Sequence, residues 1–195
     1  MKAKSLTAAA LALCLLAAAG CGGKKAKSPK DAAKNFGNSL LKNDKDLFLS
    51  SVYYGDADKE LVEAQFEMMA AMTEFAVEYE KAYGTGKFKG SKPVITEENL
   101  ANLEVEGSGD TAVARTPGGS EDIKLIKKDG TWYVDISDSV PKGEQAAQGK
   151  KVMGPMAEGI RKVTANIGKK GYDEKKIMGE FMAAMMGAAM SGRGG

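Results

Sequence analysis

From Ile123 to Ile136 the chain reads I-K-L-I-K-K-D-G-T-W-Y-V-D-I, with apolar and polar positions alternating around Asp129-Gly130. Alternation with period two marks a half-buried strand. Asp-Gly is a strong two-residue hairpin signal, because both central positions of that turn need φ > 0. Folding there sets Lys128 opposite Thr131, Lys127 opposite Trp132, Ile126 opposite Tyr133, Leu125 opposite Val134, Lys124 opposite Asp135 and Ile123 opposite Ile136. Ile123, Leu125, Trp132, Val134 and Ile136 then share one apolar face, and Lys124 meets Asp135 on the other as an opposite-charge pair. Upstream, Asn102–Glu106 alternates with Leu103 and Val105 inward, and Gly107-Ser108-Gly109-Asp110 turns the chain. Thr111–Arg115 returns and Pro117-Gly118-Gly119-Ser120 turns it again. The pattern predicts an antiparallel meander of about four strands.

Helical spacing dominates the segments before and after this sheet. Ser28-Pro29-Lys30-Asp31 carries an N-cap serine, proline at the first helical position and an acid at the third, and Ala33, Phe36, Leu40 and Leu41 follow at helical intervals to Lys42. Asn43-Asp44 interrupts, and a short second helix carries Leu47, Phe48, Ser51 and Val52. Asp56 is expected to cap a long third helix, Ala57 to Tyr83. Its stripe of Val62, Phe66, Met69, Ala76, Tyr79 and Tyr83 is widened by Met68, Met72 and Phe75. A stripe this broad predicts burial on two sides, for example between a sheet and another helix. Gly84–Pro93 reads as a glycine- and lysine-rich connection with a short edge strand around Phe88. After Asp138 a separate extension begins at Pro141-Lys142-Gly143. Pro155 is expected to open a helix bearing Met156, Ile160, Val163 and Ile167 that stops at Gly168. Asp173 caps another with Ile177, Met178, Phe181, Met182 and Met185, and Ser191–Gly195 frays. Helices followed by an antiparallel sheet make the class α+β.

The start of the 195-residue chain is an address rather than an element. Lys2 and Lys4 precede an apolar run from Leu6 to Ala19, about 15 residues and short of the roughly 18 that a membrane span needs. Ala18-Ala19-Gly20-Cys21 resembles a bacterial lipobox, in which small residues precede a cysteine that is lipidated and becomes the mature N-terminus; Ala18 stands where that motif usually has leucine. Ordinary secretion with cleavage near Ala17–Ala19 and an uncleaved anchor are the competing readings. On the lipoprotein reading, residues 1–20 are signal, 21–28 a flexible tether, 29–138 the folded domain and 139–195 a helical Met-rich extension. The protein is then extracytoplasmic and lipid-anchored; in a Gram-negative cell, Gly22 rather than Asp after the cysteine resembles lipoproteins released to the outer membrane, on its periplasmic side.

Charge and cysteine content narrow the chemistry. The formal charge is +2, and removing Lys2 and Lys4 leaves basic and acidic side chains equal in number. That balance does not point to nucleic acid, which calls for a one-signed basic face. Lys24, Lys25, Lys27 and Lys30 have two readings, contact with anionic headgroups or simple solubility of the tether. Cys14 leaves with the signal, Cys21 carries the lipid, and the chain has no histidine. The mature part therefore lacks the commonest general base and metal ligand as well as any thiol site, and no metal or cofactor is expected.

The segment Ser28–Asp31 leading to Phe36 and Leu40-Leu41-Lys42-Asn43-Asp44, with Gly109-Asp110-Thr111-Ala112-Val113 and the Ile123–Asp135 hairpin, resembles the nuclear transport factor 2-like (cystatin-like) superfamily, and most closely its uncharacterised bacterial lipoproteins. The resemblance covers about Ser28 to Ser137. It implies a cone, with N-terminal helices packed into the concave face of a curved antiparallel sheet. It also implies dimerisation through the sheet in many members, and cavity enzymes in some, such as ketosteroid isomerase with its base carboxylate and tyrosine donor.

Tyr53, Tyr54, Tyr79, Tyr83, Asp56 and Asp58 match no catalytic spacing of that superfamily, so no catalytic residue is carried over. The tyrosines are expected at the core rim with wet hydroxyls, and the acids as helix caps. A ligand, if there is one, is expected to be small and apolar, held between Phe36, Leu40, Phe66 and Met69 and the sheet face of Leu125, Trp132 and Val134. Trp132 reads as core before ligand-stacking, with Lys127 snorkelling beside it. The turn Pro117-Gly118-Gly119 does not lead from a strand into a helix, so it is no phosphate cradle. Met178, Met182, Met185, Met186 and Met190 read as packing, as an adaptable partner surface centred on Met178, Met182 and Met185, or as soft ligands for Cu(I). The expected function is a non-catalytic small-ligand-binding or scaffolding module of the cell envelope. The alternatives are a protein–protein module, as homodimer or with an envelope partner, and a cavity enzyme.

Overall fold

The computed structural model describes residues 25–88, 95–116 and 122–191, the side chains of 188–191 excepted. Among these the chain forms six helices and five strands, and the strands make one open mixed sheet in the order β1-β5-β4-β3-β2. The class is α+β.

Helix α1, Pro29–Leu41, starts as the sequence predicts: the Ser28 hydroxyl accepts from the Asp31 amide at 3.1 Å. Asn43 turns the chain at φ 51°, and the Asp44 carboxylate caps α2, Lys45–Ser51, by accepting from the Leu47 amide. The expected continuation of this helix through Val52 is corrected. Val52–Tyr53 is β1, paired in parallel with β5 (Thr131–Asp135) as Val52 to Val134 and Tyr53 to Asp135. Valine and tyrosine favour pleated backbone, and two residues are too few for any periodicity to report it.

The long helix α3, Lys59–Tyr83, is capped by Asp58 and not by Asp56; the Asp58 carboxylate accepts from the Glu60 amide at 2.8 Å. Asp56 lies exposed in the turn after Gly55. A further helix absent from the sequence reading, α4 (Glu97–Ala101), is capped by Thr96 and buries Leu100. Strands β2 (Glu104–Ser108) and β3 (Thr111–Arg115) pair around Gly109-Asp110. The first strand of this pair thus starts and ends two residues later than expected. Leu103 is buried just ahead of it, and Val105 is only half-buried. The expected turn Pro117–Ser120 and most of the connection after Phe88 lie outside the described residues.

β4 (Ile123–Lys128) and β5 carry four of the six predicted cross-strand pairs, from Lys128–Thr131 to Leu125–Val134, around Asp129 at φ 49° and Gly130 at φ 77°. Past Val134 the hairpin opens. The Ile136 amide donates to Tyr53 O at 2.9 Å, so the end of β5 turns toward β1. Lys124 accordingly bonds Asp138 at 3.1 Å, while Asp135 accepts from the amide and hydroxyl of Ser137.

The helix expected to open at Pro155 begins well before it. α5 spans Glu144–Thr164 with Pro155 exposed in its interior. The run E-Q-A-A-Q-G-K-K is rich in helix formers, and on the solvent side a bend at proline disturbs no packing. α6, Glu174–Ser191, begins at Asp173, whose carboxylate accepts from the Lys176 amide at 2.8 Å.

Two apolar clusters hold these elements, and α3 belongs to both. Its first half (Leu61, Val62, Phe66, Ala70) packs with α1, α2 and the sheet. Its second half (Ala71, Phe75, Ala76, Tyr79) packs with Phe88, α5 and α6. α1 lies against β2 through β5, whereas the main neighbours of α3 are α1, α2 and α5, helices and not the sheet. Lys150 pairs with Asp58 and Glu60, and Arg161 with Glu67, so α5 runs parallel to α3. Phe181 stacks on Phe75 at 4.2 Å and Glu174 meets Tyr79, so α6 runs back along it.

Candidate functional site

The side chains expected to line a cone are found packed on one another. Phe36 and Leu40 of α1, Phe66 of α3, and Leu125, Trp132 and Val134 of the sheet are all buried in one cluster, with Met69 half-buried against it. Phe48 of α2 stands between the two other rings, with centroids 5.7 Å from Phe36 and 5.0 Å from Phe66. Period-two and helical patterns say which side chains point inward. They carry no information on whether another side chain already fills the space.

A groove of about 310 Å³ opens elsewhere, between the C-terminal end of α1 and the middle of α3. Leu40, Leu41, Ala70 and Val77 supply apolar wall, and Lys42, Glu74 and Glu78 are among its polar lining. Only Leu40 belongs to the expected set. The signal that marks this place is the pair of small side chains Ala70 and Thr73, near where the helix passes from one cluster to the other.

The methionines of α6 divide. Met182 (51% exposed) and Met186 (61%) point outward, whereas Met178 and Met185 are half-buried against the second cluster. The side chain of Met190 is outside the described residues. From Phe181 to Ser191 the helix has no charged residue. The outward side therefore offers large polarisable thioethers without a charge among them.

The candidate tyrosines are tied into the structure. Tyr79 is buried and donates to Glu174 Oε1 at 3.1 Å; burial, reinforced by that carboxylate, pushes its pKa up to about 12. Tyr83 donates to the Tyr172 carbonyl at 3.2 Å. Tyr53 and Tyr54 are half-buried, and the Lys128 ammonium lies 5.3 Å from the Tyr53 ring centre. Asp58 bonds Lys150, which holds its carboxyl below the usual range, aided by the Glu60 amide. These contacts join α3 to α5 and α6.

Trp132 is buried, and its amide donates to Ala26 O at 3.0 Å. Ala26 itself is only 6% exposed and belongs to the sheet–helix cluster. The stretch expected as flexible tether, 21–28, therefore meets the folded body at Ala26, because a methyl side chain fits beside the edge of β5 that β1 leaves uncovered. Cys21 lies outside the described residues. Among the described residues no group of three or more acidic, cysteine or histidine side chains is placed to hold a metal, and no helix is long and apolar enough to cross a membrane. No protein family, curated protein or solved structure matches this chain.

Proposed function

We propose that the chain is a lipid-anchored, extracytoplasmic protein, acylated at Cys21, that works as a non-catalytic scaffolding or interaction module. The nuclear transport factor 2-like architecture belongs to this proposal. The packing of α1 against β2 through β5 is in keeping with it. The observation that carries the interaction reading is the outward side of α6, where Met182 and Met186 stand exposed on an uncharged stretch. Exposed apolar side chains grouped on one element mark interaction surfaces, and methionine adapts to an irregular partner. A second reading, a small ligand, is favoured by the groove between α1 and α3, whose volume is within the usual range for ligand sites of roughly 300–1,000 Å³.

Native mass spectrometry on residues 22–195, purified from a bacterial envelope under mild conditions, separates them. A dimer or a bound envelope protein that is lost when Met182→Lys and Met186→Lys are introduced supports the interaction module. A discrete small-molecule adduct that disappears on denaturation, and is weakened by Val77→Glu, moves the function to the groove. A bare monomer overturns both. Acylation is tested separately: intact mass of the full-length product should show lipid on Cys21, and Cys21→Ala should move the protein out of the membrane fraction.

A further inference from the structure

We propose that the end of the sheet bearing the 108–111 and 128–131 turns faces the lipid surface that holds the anchor. There, Lys25, Lys27, Lys127 and Lys128 meet anionic headgroups. This rests on acylation at Cys21 and goes beyond it, because a lipid anchor alone leaves orientation free.

The Ala26 carbonyl accepts from the Trp132 amide at 3.0 Å and its side chain is buried, so the chain is held to the sheet at this residue. Ala26 lies five positions after Cys21, a reach of at most about 18 Å when fully extended. A domain of this length has a radius of gyration of about 15 Å and a breadth of roughly 40 Å. The link is thus shorter than the body is wide, and only the side around Ala26 can approach the membrane.

The identity of that side follows from the register. Trp132 stands opposite Lys127, and the Lys127 amide donates to Asp110 O at 2.8 Å. Both turns of the meander therefore lie at the Ala26 end. Lys25 and Lys27 are exposed there, Lys127 is half-exposed, and Lys128 is exposed with its ammonium 5.3 Å from the Tyr53 ring centre; Asp110 and Asp129 are the acids of the two turns. At the opposite end of the sheet the exposed acids Glu104, Asp122 and Asp138 gather, and Asp122 and Asp138 are paired with Arg115 and Lys124. Basic side chains thus lead on the side the link holds down, and acids on the side it holds away. Lysines near an anionic surface add attraction over about one Debye length, about 8 Å at physiological salt.

Trp132 is the single tryptophan of the chain and marks this end. The full-length protein is purified from a bacterial envelope, and lipid on Cys21 is established first by intact mass. Its absence there sinks the lipoprotein reading itself. The acylated protein is then placed in vesicles of phosphatidylcholine, or of equal parts phosphatidylcholine and phosphatidylglycerol, each with a trace of dansyl-labelled lipid. Energy transfer from Trp132 should be strong, and stronger on the anionic vesicles. Lys127→Glu with Lys128→Glu, or 1 M salt on the unaltered protein, should erase the difference between the two lipids. In a chain carrying Trp132→Phe and Asp138→Trp, transfer should fall. Equal or greater transfer from position 138, or transfer from Trp132 that ignores both lipid charge and salt, overturns the proposal while leaving acylation intact.

Discussion

A β carbon at Gly37 would lie 2.3 Å from Leu100 Cδ2, where α4 crosses α1. Gly37→Ala therefore forces the leucine or the short helix aside, at a cost of about 1–3 kcal/mol. Adding Leu100→Ala should return part of it, since neighbours in contact are not additive; urea unfolding of the two single variants and the double variant measures both. Tyr79 gives a pH signature. Its pKa is raised from 10.0 to about 12, so the folded state favours the neutral phenol. That stabilisation is complete below pH 10 and is lost as pH rises through 12. Absorbance titration should show a late-ionising tyrosine component, and Tyr79→Phe should remove it. Caps were legible at this scale where the first helical residue was unambiguous, as at Ser28 and Asp173. Asp56 and Asp58 both precede an acceptable helix start, and only the geometry of the turn after Gly55 decides between them.

Among the elements, α6 is anchored to the second cluster in part through Phe181. Phe181 stacks on Phe75 and meets Phe88 edge-on. Phe181→Ala should cost about 3–5 kcal/mol. Hydrogen exchange should speed up in α6 before it does in β4 and β5, which belong to the other cluster. Pro155 has the opposite sign. It removes one backbone hydrogen bond in the interior of α5, so Pro155→Ala should stabilise the protein by roughly 1–3 kcal/mol in thermal or urea unfolding. Reading that proline as a helix start misplaced the element, because the rule for proline at the first position holds only where the preceding residues are poor helix formers. The β4–β5 hairpin was legible because turn chemistry and alternation agree. β1 was not, because its two residues owe their strand form to Val134 and Asp135, about eighty positions away in the chain.

At the scale of the whole molecule, sequence patterning found the α+β class and the Met-rich helix as an element. It gave neither the second cluster nor the shared role of α3. The width of the α3 stripe announced two contacts; its main neighbours are the helices α1, α2 and α5, and its first half also shares a cluster with the sheet. The candidate site was legible only as inwardness: Phe36, Leu40, Phe66 and Trp132 are buried in one cluster, and the Phe48 ring stands between those of Phe36 and Phe66.

The seam at Ala26 also bears on the order of assembly. Ala26 and β1 both bind the same edge of β5, and both are made long before it. A chain emerging from its N-terminus has the β4–β5 hairpin within reach as soon as that turn appears, since the contacts are local. The two seams on the far edge must wait for residues 131–136, and each closes a loop of roughly eighty residues or more. Until then Ala26 has no partner in the sheet. On the proposed acylation at Cys21, an enzyme acting during synthesis would meet the chain before Ala26 docks, and only afterwards does the finished body take hold five positions from that cysteine.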